Sequence, residues 1–321
     1  MIWLKICASM NKADSIYIAG STGMVGSSIV RLLESEGYEN IITSTSKDID
    51  LRNQEETFAF FERNKFDYVF LTAARVGGIL ENSIKKAEFI YDNLQIQNNV
   101  IHYSFKTNVK KLLFLGSSCV YPKYPKIPIN EGELLSGKLE ETNDAYAIAK
   151  IAGIMMCQSY RQQYNFNAIS LMPTNLYGYN DNFDLNSSHV IPALLRKFIY
   201  AKENNLDEVV CWGSGKPMRE FLFVDDLAEA CLFSMKNYSE EEHLNVGTGK
   251  DISIDELVKL IKDIVGFEGE VRWDSTKPDG TMRKVLDVKK IKSLGWESRV
   301  SLRDGLKRTI KWYLNNKKQF G

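Results

Sequence analysis

The chain lacks net charge: 41 Lys plus Arg stand against 41 Asp plus Glu. That balance leaves no broad basic field for nucleic acid and no polybasic anchor for a membrane surface. No apolar run approaches the ~20 residues needed to cross a bilayer. The opening M-I-W-L-K-I-C-A-S-M is too short for a secretory signal and has no cleavage pattern. It reads as a disordered extension, with Met10 an alternative start, so that residues 1–14 precede the fold. Cysteine is scarce as well. The five positions (7, 119, 157, 211 and 231) are odd in number and form no C-x-x-C pair. Neither a disulfide framework nor a zinc site is indicated, and no metal is expected. A reducing cytoplasm suits such a chain. Internal repeats and low-complexity segments are missing too.

What is present is an alternation of short apolar strands and helical patterns. Residues 15–19 form a strand that runs into G-S-T-G-M-V-G (20–26), followed by an amphipathic helix to about Glu36. Glycines at such a turn let the backbone approach a pyrophosphate, and the helix start supplies free N–H groups and a positive dipole. Gly20, Gly23 and Gly26, with Thr22, Met24 and Val25 among them, are therefore candidate cofactor contacts. The second strand, 40–45, leads to Ser46 and Lys47. An NAD site usually places an acid there for the ribose hydroxyls. Hydroxyls and a cation suit a ribose 2′-phosphate instead, so NADP is expected. Asp50 and Leu51 follow and are placed beside the adenine.

Residues 67–74 are almost continuously apolar, as a buried parallel strand requires, and end in small Ala73 and Ala74, which leave room for a flat ring. A helical pattern over 82–106, a strand over 111–115, a loop with prolines 122, 125 and 128, a helix to about 164 and a strand over 167–172 complete the series. The expected architecture is α/β: a Rossmann-like, doubly wound parallel sheet with a smaller C-terminal α/β substrate-binding lobe. The cofactor domain spans 15–174 and the substrate lobe mainly 175–321, with later segments able to return to the first domain. Ligands bind at the carboxyl ends of the strands, where Gly20, Ala73, Ser117 and Pro173 fall. Beyond Pro173, the runs P-T-N-L-Y-G, S-S-H-V-I-P-A-L-L-R, W-G-S-G-K-P-M-R-E-F and K-P-D-G-T-M-R-K read as loops or loop–helix joints. Short strands over 209–212 and 244–246 lie between them, with helices over 225–238, 254–265 and 302–315.

The chemistry centres on residues 111–150. The strand K-L-L-F-L ends in Gly116, Ser117, Ser118 and Cys119, and a helix then carries Tyr146 and Lys150 four apart. Positions i and i+4 share a helix face. A free phenol titrates near pH ~10; a neighbouring ammonium is expected to lower that value. Tyr146 would give a proton to a ketone, Lys150 would tune it and Ser117 would orient the carbonyl. A Y-x-x-x-K pair alone occurs on many helices by chance; the nucleotide-binding turn makes this one informative.

Together these stretches resemble the GDP-L-fucose synthases, a family within the extended short-chain dehydrogenases. The resemblance runs from about Ser15 to the C-terminus. Its most specific parts are G-S-S-C-V-Y-P (116–122), Y-A-I-A-K (146–150), M-P-T-N-L-Y-G (172–178), S-H-V-I-P-A-L-L-R (188–196), W-G-S-G-K-P-M-R-E-F (212–221) and K-P-D-G-T-M-R-K (277–284). It implies an NADPH-dependent epimerase-reductase that makes GDP-L-fucose from GDP-4-keto-6-deoxy-D-mannose by C3/C5 epimerisation and C4 reduction. It implies reduction by Ser117, Tyr146 and Lys150, and epimerisation by Cys119 and His189. Lys150, Pro173, Asn175, Leu176 and His189 become cofactor contacts. Ser117, Ser118, Asn175, Val190, Lys197, Trp212, Arg219, Asp279 and Lys284 become contacts to the nucleotide sugar. The helices at 82–106 and 143–164 carry more apolar surface than one sheet face covers; in the family they pair with their copies, implying a homodimer through a four-helix bundle.

Three departures stand out. Thr22 sits where some of the family carry Arg beside the 2′-phosphate. Y-G-Y-N-D-N-F (177–183) lacks a Pro-His pair common after Y-G. The first ten residues have no counterpart. A C4-reductase acting on a related GDP-4-keto-6-deoxy-heptose for surface polysaccharide, with or without epimerase activity, shares every motif and is the alternative. A nucleotide-sensing regulatory protein that lost the chemistry is the reading from another class, and the intact Ser117, Tyr146 and Lys150 speak against it.

Overall fold

The structure, a computed structural model, describes residues 10–185, 187–277 and 279–319. Its main sheet is built from short apolar runs. These are β1 (Ile16–Ala19), β2 (Ile41–Thr43), β3 (Tyr68–Leu71), β4 (Lys111–Leu115), β5 (Ala168–Pro173) and, far along the chain, β9 (Leu244–Val246). Every residue of β1, β3, β4, β5 and β9 is buried. Strands covered on both faces need no polar–apolar alternation, which is why they read as continuous apolar runs. The order is β2-β1-β3-β4-β5-β9 with all pairings parallel. Strand order reverses between β1 and β3, so the crevice at their carboxyl ends is the ligand position of such a sheet.

Helices α1 (Met24–Ser35), α2 (Gln54–Asn64), α3 (Ile79–Ile84), α4 (Lys86–Lys106) and α5 (Asp144–Tyr164) connect these strands. Helix α4 packs on both α2 and α5, while α1 packs on α7 (Val224–Asn237). The single helical pattern expected over 82–106 is two helices broken at Lys85, whose φ/ψ of −106°/35° is not helical.

The remaining elements are β6 (Asn175–Tyr177), α6 (Val190–Glu203), β7 (Glu208–Trp212), β8 (Met218–Phe223), β10 (Asp251–Ser253), α8 (Ile254–Val265), β11 (Glu270–Asp274), β12 (Arg283–Lys284), α9 (Lys289–Ser293) and α10 (Leu302–Asn316). β8 is the hub of the second sheet: β10 and β12 flank its first half and β6 its second. β7 pairs with β11. A second core, with Phe183, Leu195, Phe198, Phe223, Leu257 and Leu306 at its centre, lies among α6, α8 and α10. The chain returns to the first core through α7, β9 and the stretch carrying Leu286, Val288, Ile291 and Trp296.

Several elements differ from the expectation. β6, β8 and β12 form where loops were expected, α6 is a full helix where a joint was expected, and α2, β10, β11 and α9 were not anticipated. Polar residues hid β8: Glu220 sits in its middle, fully buried, satisfied by backbone N–H groups from elsewhere. Pro192 hid α6, but it stands in the first turn, where an N–H has no intrahelical partner to lose. Residues 1–9 of the expected extension lie outside the described residues. Met10 is already buried in the first core, and Asp14 accepts from Lys110 at 3.0 Å.

Candidate active site

The turn after β1 is set by two glycines. Gly20 has φ +88°, and a Cβ there would stand 2.7 Å from the Ala73 nitrogen. A Cβ on Gly26 would stand 2.1 Å from the Gly20 oxygen. These two let the turn, the end of β3 and the start of α1 close on one another. Gly23 differs: a Cβ there meets only the Gly20 oxygen, at 3.5 Å, so the space over the start of α1 stays open. No acidic residue occupies the first turn of α1, and Gly23 offers no side-chain cap. Exposed Thr22 and half-buried Met24 and Val25 complete the rim. Free N–H groups, a positive helix end and open space fit a dinucleotide pyrophosphate.

The adjoining edge is more charged than the sequence reading anticipated. Ser44 receives the Ser21 hydroxyl at its carbonyl (3.2 Å) and meets the Tyr17 hydroxyl (2.8 Å), which joins the ends of β1 and β2. Ser46 and Lys47 are exposed in the next turn. Asp50 is held by Arg52 at 2.9 Å, Arg52 also reaches Asp92 at 3.1 Å, and Asp92 accepts from Arg75 at 2.8 Å. The Arg52 side chain holds the Asp50 carboxyl below the ordinary range. Leu51 gives its carbonyl to Asn99 at 2.9 Å. Arg52 and Arg75 were not singled out from the sequence; their shared carboxylate lies 40 and 17 positions away, and local spacing carries no trace of it. Ala73 and Ala74 are half-buried at the end of β3.

β4 delivers Ser117, Ser118 and Cys119 to the same end of the sheet. Ser117 is extended, and its hydroxyl accepts the Cys119 N–H at 3.2 Å, starting a single 3-10 turn that buries Ser118. Tyr146 and Lys150, both buried, come from α5. The Lys150 ammonium donates to the Leu115 carbonyl at 2.9 Å and lies 5.9 Å from the centre of the Tyr146 ring. Burial pulls Lys150 down to about 7. Burial also raises the Tyr146 phenol; Cys119 adds to this, and a hydrogen bond with Ser117 opposes it. The expected lowering of Tyr146 by its neighbouring cation is thus corrected. Burial strips water from both groups, and the lost solvation disfavours the charged form of each.

Cys119 is half-buried. Its sulfur accepts from Asn143 Nδ2 at 3.5 Å and from Lys284 Nζ at 3.8 Å. A cleft of about 360 Å³, open mouth included, opens beside it among Tyr121, Lys123, Asn143, Arg283 and Lys284. His189 occupies the cap position of α6, followed by half-buried Val190. Its residue surface is exposed, yet protein crowds the ring closely enough that desolvation draws the imidazole below its usual value. The loop before it is fastened to the segment after β3 by Gly78 N–H to Ser187 O at 2.9 Å.

The second lobe supplies the rest. Pro173 ends β5, half-buried Leu176 lies in β6, and Asn175 donates to the Glu220 carbonyl at 2.8 Å. Arg219 is anchored on the Met218 carbonyl at 2.8 Å, and burial pulls its guanidinium downward. Strand pairing sets Lys284 opposite Arg219. Lys197 donates to the Val210 carbonyl at 3.1 Å and lies 5.3 Å from the Trp212 ring, with Lys277 at 5.4 Å. Trp212 remains 55% exposed. Asp279 spends both oxygens on Ser214, at 2.7 Å from its N–H and 2.7 Å from its hydroxyl, and so secures the β7–β8 turn. The structure therefore gathers Ser117, Cys119, Tyr146 and Lys150 at one strand end, and Lys197 with Trp212 on the far lobe. Asn143 was not singled out from the sequence, because the sulfur it meets lies 24 positions away.

The profile of the NAD dependent epimerase/dehydratase family matches residues 16–247. The chain is 54% identical over 312 residues to GDP-L-fucose synthase 1 of Arabidopsis thaliana, covering 97% of each chain. It is 49% identical to the GDP-L-fucose synthase of Escherichia coli K12, covering 95% of this chain and 98% of that one. Among solved structures, a GDP-mannoheptose C4 reductase from Campylobacter jejuni with NADP bound is 42% identical, with TM-score 0.88 over 95% of this chain and 99% of that one.

Proposed function

We infer the reaction from this premise: the chain belongs to the NAD dependent epimerase/dehydratase family, among the GDP-L-fucose synthases. It is an NADPH-dependent epimerase-reductase that converts GDP-4-keto-6-deoxy-D-mannose to GDP-L-fucose. The observation that carries the reading is the placement of a free thiol, Cys119, one short turn beyond Ser117 and near the Tyr146 phenol. A plain ketone reductase needs only Ser117, Tyr146 and Lys150; a carbon-acid step needs a further acid–base group.

A ketone at C4 acidifies the hydrogens at C3 and C5. Cys119, as thiolate, removes one: the C–H bond breaks, the S–H bond forms, and the electron pair becomes an enolate with its oxygen on C4. His189 returns a proton to the opposite face, and exchange with solvent then takes the proton from Cys119 and reprotonates His189 before the second centre reacts. Ser117 and Tyr146 donate to the C4 oxygen and stabilise the enolate. After both centres are inverted, Tyr146 gives its proton to the C4 oxygen and Lys150 stabilises the phenolate that remains. The 20–26 turn, Lys47 at the 2′-phosphate and Lys150 would hold NADPH, which would supply the hydride. Lys197, Trp212, Arg219, Asp279 and Lys284 hold the GDP portion and sugar, Arg219 suiting the diphosphate through its planar fork.

The same reading includes a homodimer in a cytoplasmic setting, where Cys119 stays reduced. Its support is the outward face of the α4–α5 pair, which leaves Tyr91, Ile148 and Met155 exposed at 59%, 47% and 45%. No described helix is long and apolar enough to cross a membrane.

The test uses Cys119→Ser, which keeps the shape of the side chain and replaces the thiol by a hydroxyl, a far weaker acid that stays neutral. Without NADPH in deuterated water, this variant should lose most deuterium uptake at C3 and C5. With NADPH it should still form a 4-hydroxy sugar slowly, unepimerised. Exchange at the parent rate removes Cys119 from the mechanism. If the parent exchanges nothing with any GDP-4-keto sugar, the heptose C4-reductase reading replaces this one; it is favoured by the 42% identity and 0.88 TM-score to the GDP-mannoheptose reductase.

A further inference from the structure

The Cys119 sulfur has a donor from each lobe. Asn143 Nδ2 lies at 3.5 Å, from the start of α5, and Lys284 Nζ lies at 3.8 Å, from β12. Three observations make the pair more than a chance contact. Asn143 stands at the cap position of α5, where an Asn side chain ordinarily accepts a helix N–H for about 1 kcal/mol; it makes no such bond. Its Oδ1 is buried with no hydrogen-bond partner among the described residues, a state that costs about 1–3 kcal/mol. The amide is thus oriented for the sulfur at the expense of both its cap and its acceptor. Finally, Lys284 is fixed from two sides: it pairs in register with Arg219, and its neighbour Arg283 is held by Asp251 at 2.6 Å.

We propose that Asn143 and Lys284 are positioning residues that hold Cys119 as a thiolate, and that the second lobe, by bringing Lys284 to the sulfur, completes the carbon-acid site. This rests on the reading of Cys119 as the group that removes the C3 or C5 proton. The pair acts on the first half of that step: a cation and an N–H donor stabilise sulfur while it is charged, and the proton taken from carbon then resides on sulfur. Lys284 therefore has work on the protein side of the site in addition to any contact with the sugar.

The clasp is tested without substrate by the alkylation rate of Cys119 with iodoacetamide, read by peptide mass spectrometry. At neutral pH, Lys284→Met should slow alkylation about tenfold, the equivalent of one pKa unit. The rate should recover as pH rises past the ordinary thiol range of about 8.5. Lys284→Arg, which keeps the cation, should stay within about threefold of the parent, and Asn143→Ala should slow alkylation by a smaller factor than Lys284→Met, since a neutral donor stabilises an anion less than a cation does. Buried Cys157, Cys211 and Cys231 serve as the folding control, since they react only if the fold opens. Deuterium uptake at C3 and C5 should fall in the same order. Equal alkylation of parent and Lys284→Met in a folded protein overturns the proposal. Slowed alkylation in a protein whose parent exchanges no deuterium leaves the clasp standing and overturns the epimerase reading instead.

Discussion

At the scale of single residues, the site works against the solvation of its own charges. Lys150 is fully surrounded, with one hydrogen bond to a carbonyl and two aromatic rings nearby, and its ammonium is drawn down to about 7. The unfolded chain keeps that proton to about pH 10.4. Between these values the unfolded state binds more protons than the folded one, so this group makes stability rise with pH. Below about 7 both states are charged and the full cost of burial persists. Lys150→Met should therefore melt higher than the parent by several degrees at neutral pH. The advantage should grow as pH falls from about 10 toward 7 and level off below, while NADPH oxidation is lost. A pH-independent difference in calorimetric midpoint would show that Lys150 is charged throughout. On the proposed mechanism the residue is retained for chemistry at a cost to the fold.

At the scale of elements, α4 and α5 carry two duties. Their inner faces bury Val100, Ile101, Ile151 and Ile154 against the first core. Tyr160 meets His102 across the seam at 2.7 Å. Their outer faces expose Tyr91, Ile148 and Met155. Positions 148 and 155 are seven apart on one helix and share a face. If that face is the proposed dimer contact, Ile148→Asp combined with Met155→Asp should halve the mass seen by light scattering at micromolar concentration. An unchanged mass excludes this face. α5 also places Tyr146 and Lys150 within its first two turns, with Asn143 at its cap, so the proposed dimer contact and the proposed catalytic residues share one helix.

At the scale of the whole molecule, the two lobes are joined by a buried acid. Glu220 of β8 is inaccessible to solvent. Its two oxygens accept Gly249 N–H at 2.7 Å and Leu286 N–H at 2.8 Å, and its carbonyl receives the Asn175 amide at 2.8 Å and the Thr174 hydroxyl at 3.3 Å. One residue thereby ties β8 to the end of β5, to the loop after β9 and to the segment returning to the first core. Burial raises its carboxyl above the ordinary value. Glu220→Gln presents an NH₂ to one of those N–H groups and leaves it unpaired, so it should cost about 1–3 kcal/mol, read as a lower urea midpoint at unchanged slope. The residues it braces, Arg219 and Asn175, are proposed contacts to the nucleotide sugar, so its KM should rise as well. A stability equal to the parent's would mean that the lobes do not depend on this joint.

The sequence by itself determined the buried parallel strands, the glycine turn, the Tyr146–Lys150 pair and the family. Each of these is written in residues close together in the chain: an apolar run, a spacing of three, a spacing of four. Gly20 and Gly26 could be read because a turn this tight tolerates no Cβ. The tertiary structure alone decided what depends on groups distant in the chain. It made β8 a central strand around Glu220, because that carboxylate is satisfied from positions 29 and 66 residues away. It reversed the expected shift of Tyr146, since desolvation is set by everything packed around α5. It brought Asn143 to the Cys119 sulfur across 24 residues and Lys284 to the same sulfur across 165. Local spacing fixes which atoms a short segment can present; only closure of the whole chain fixes what water is removed and which charges then face one another.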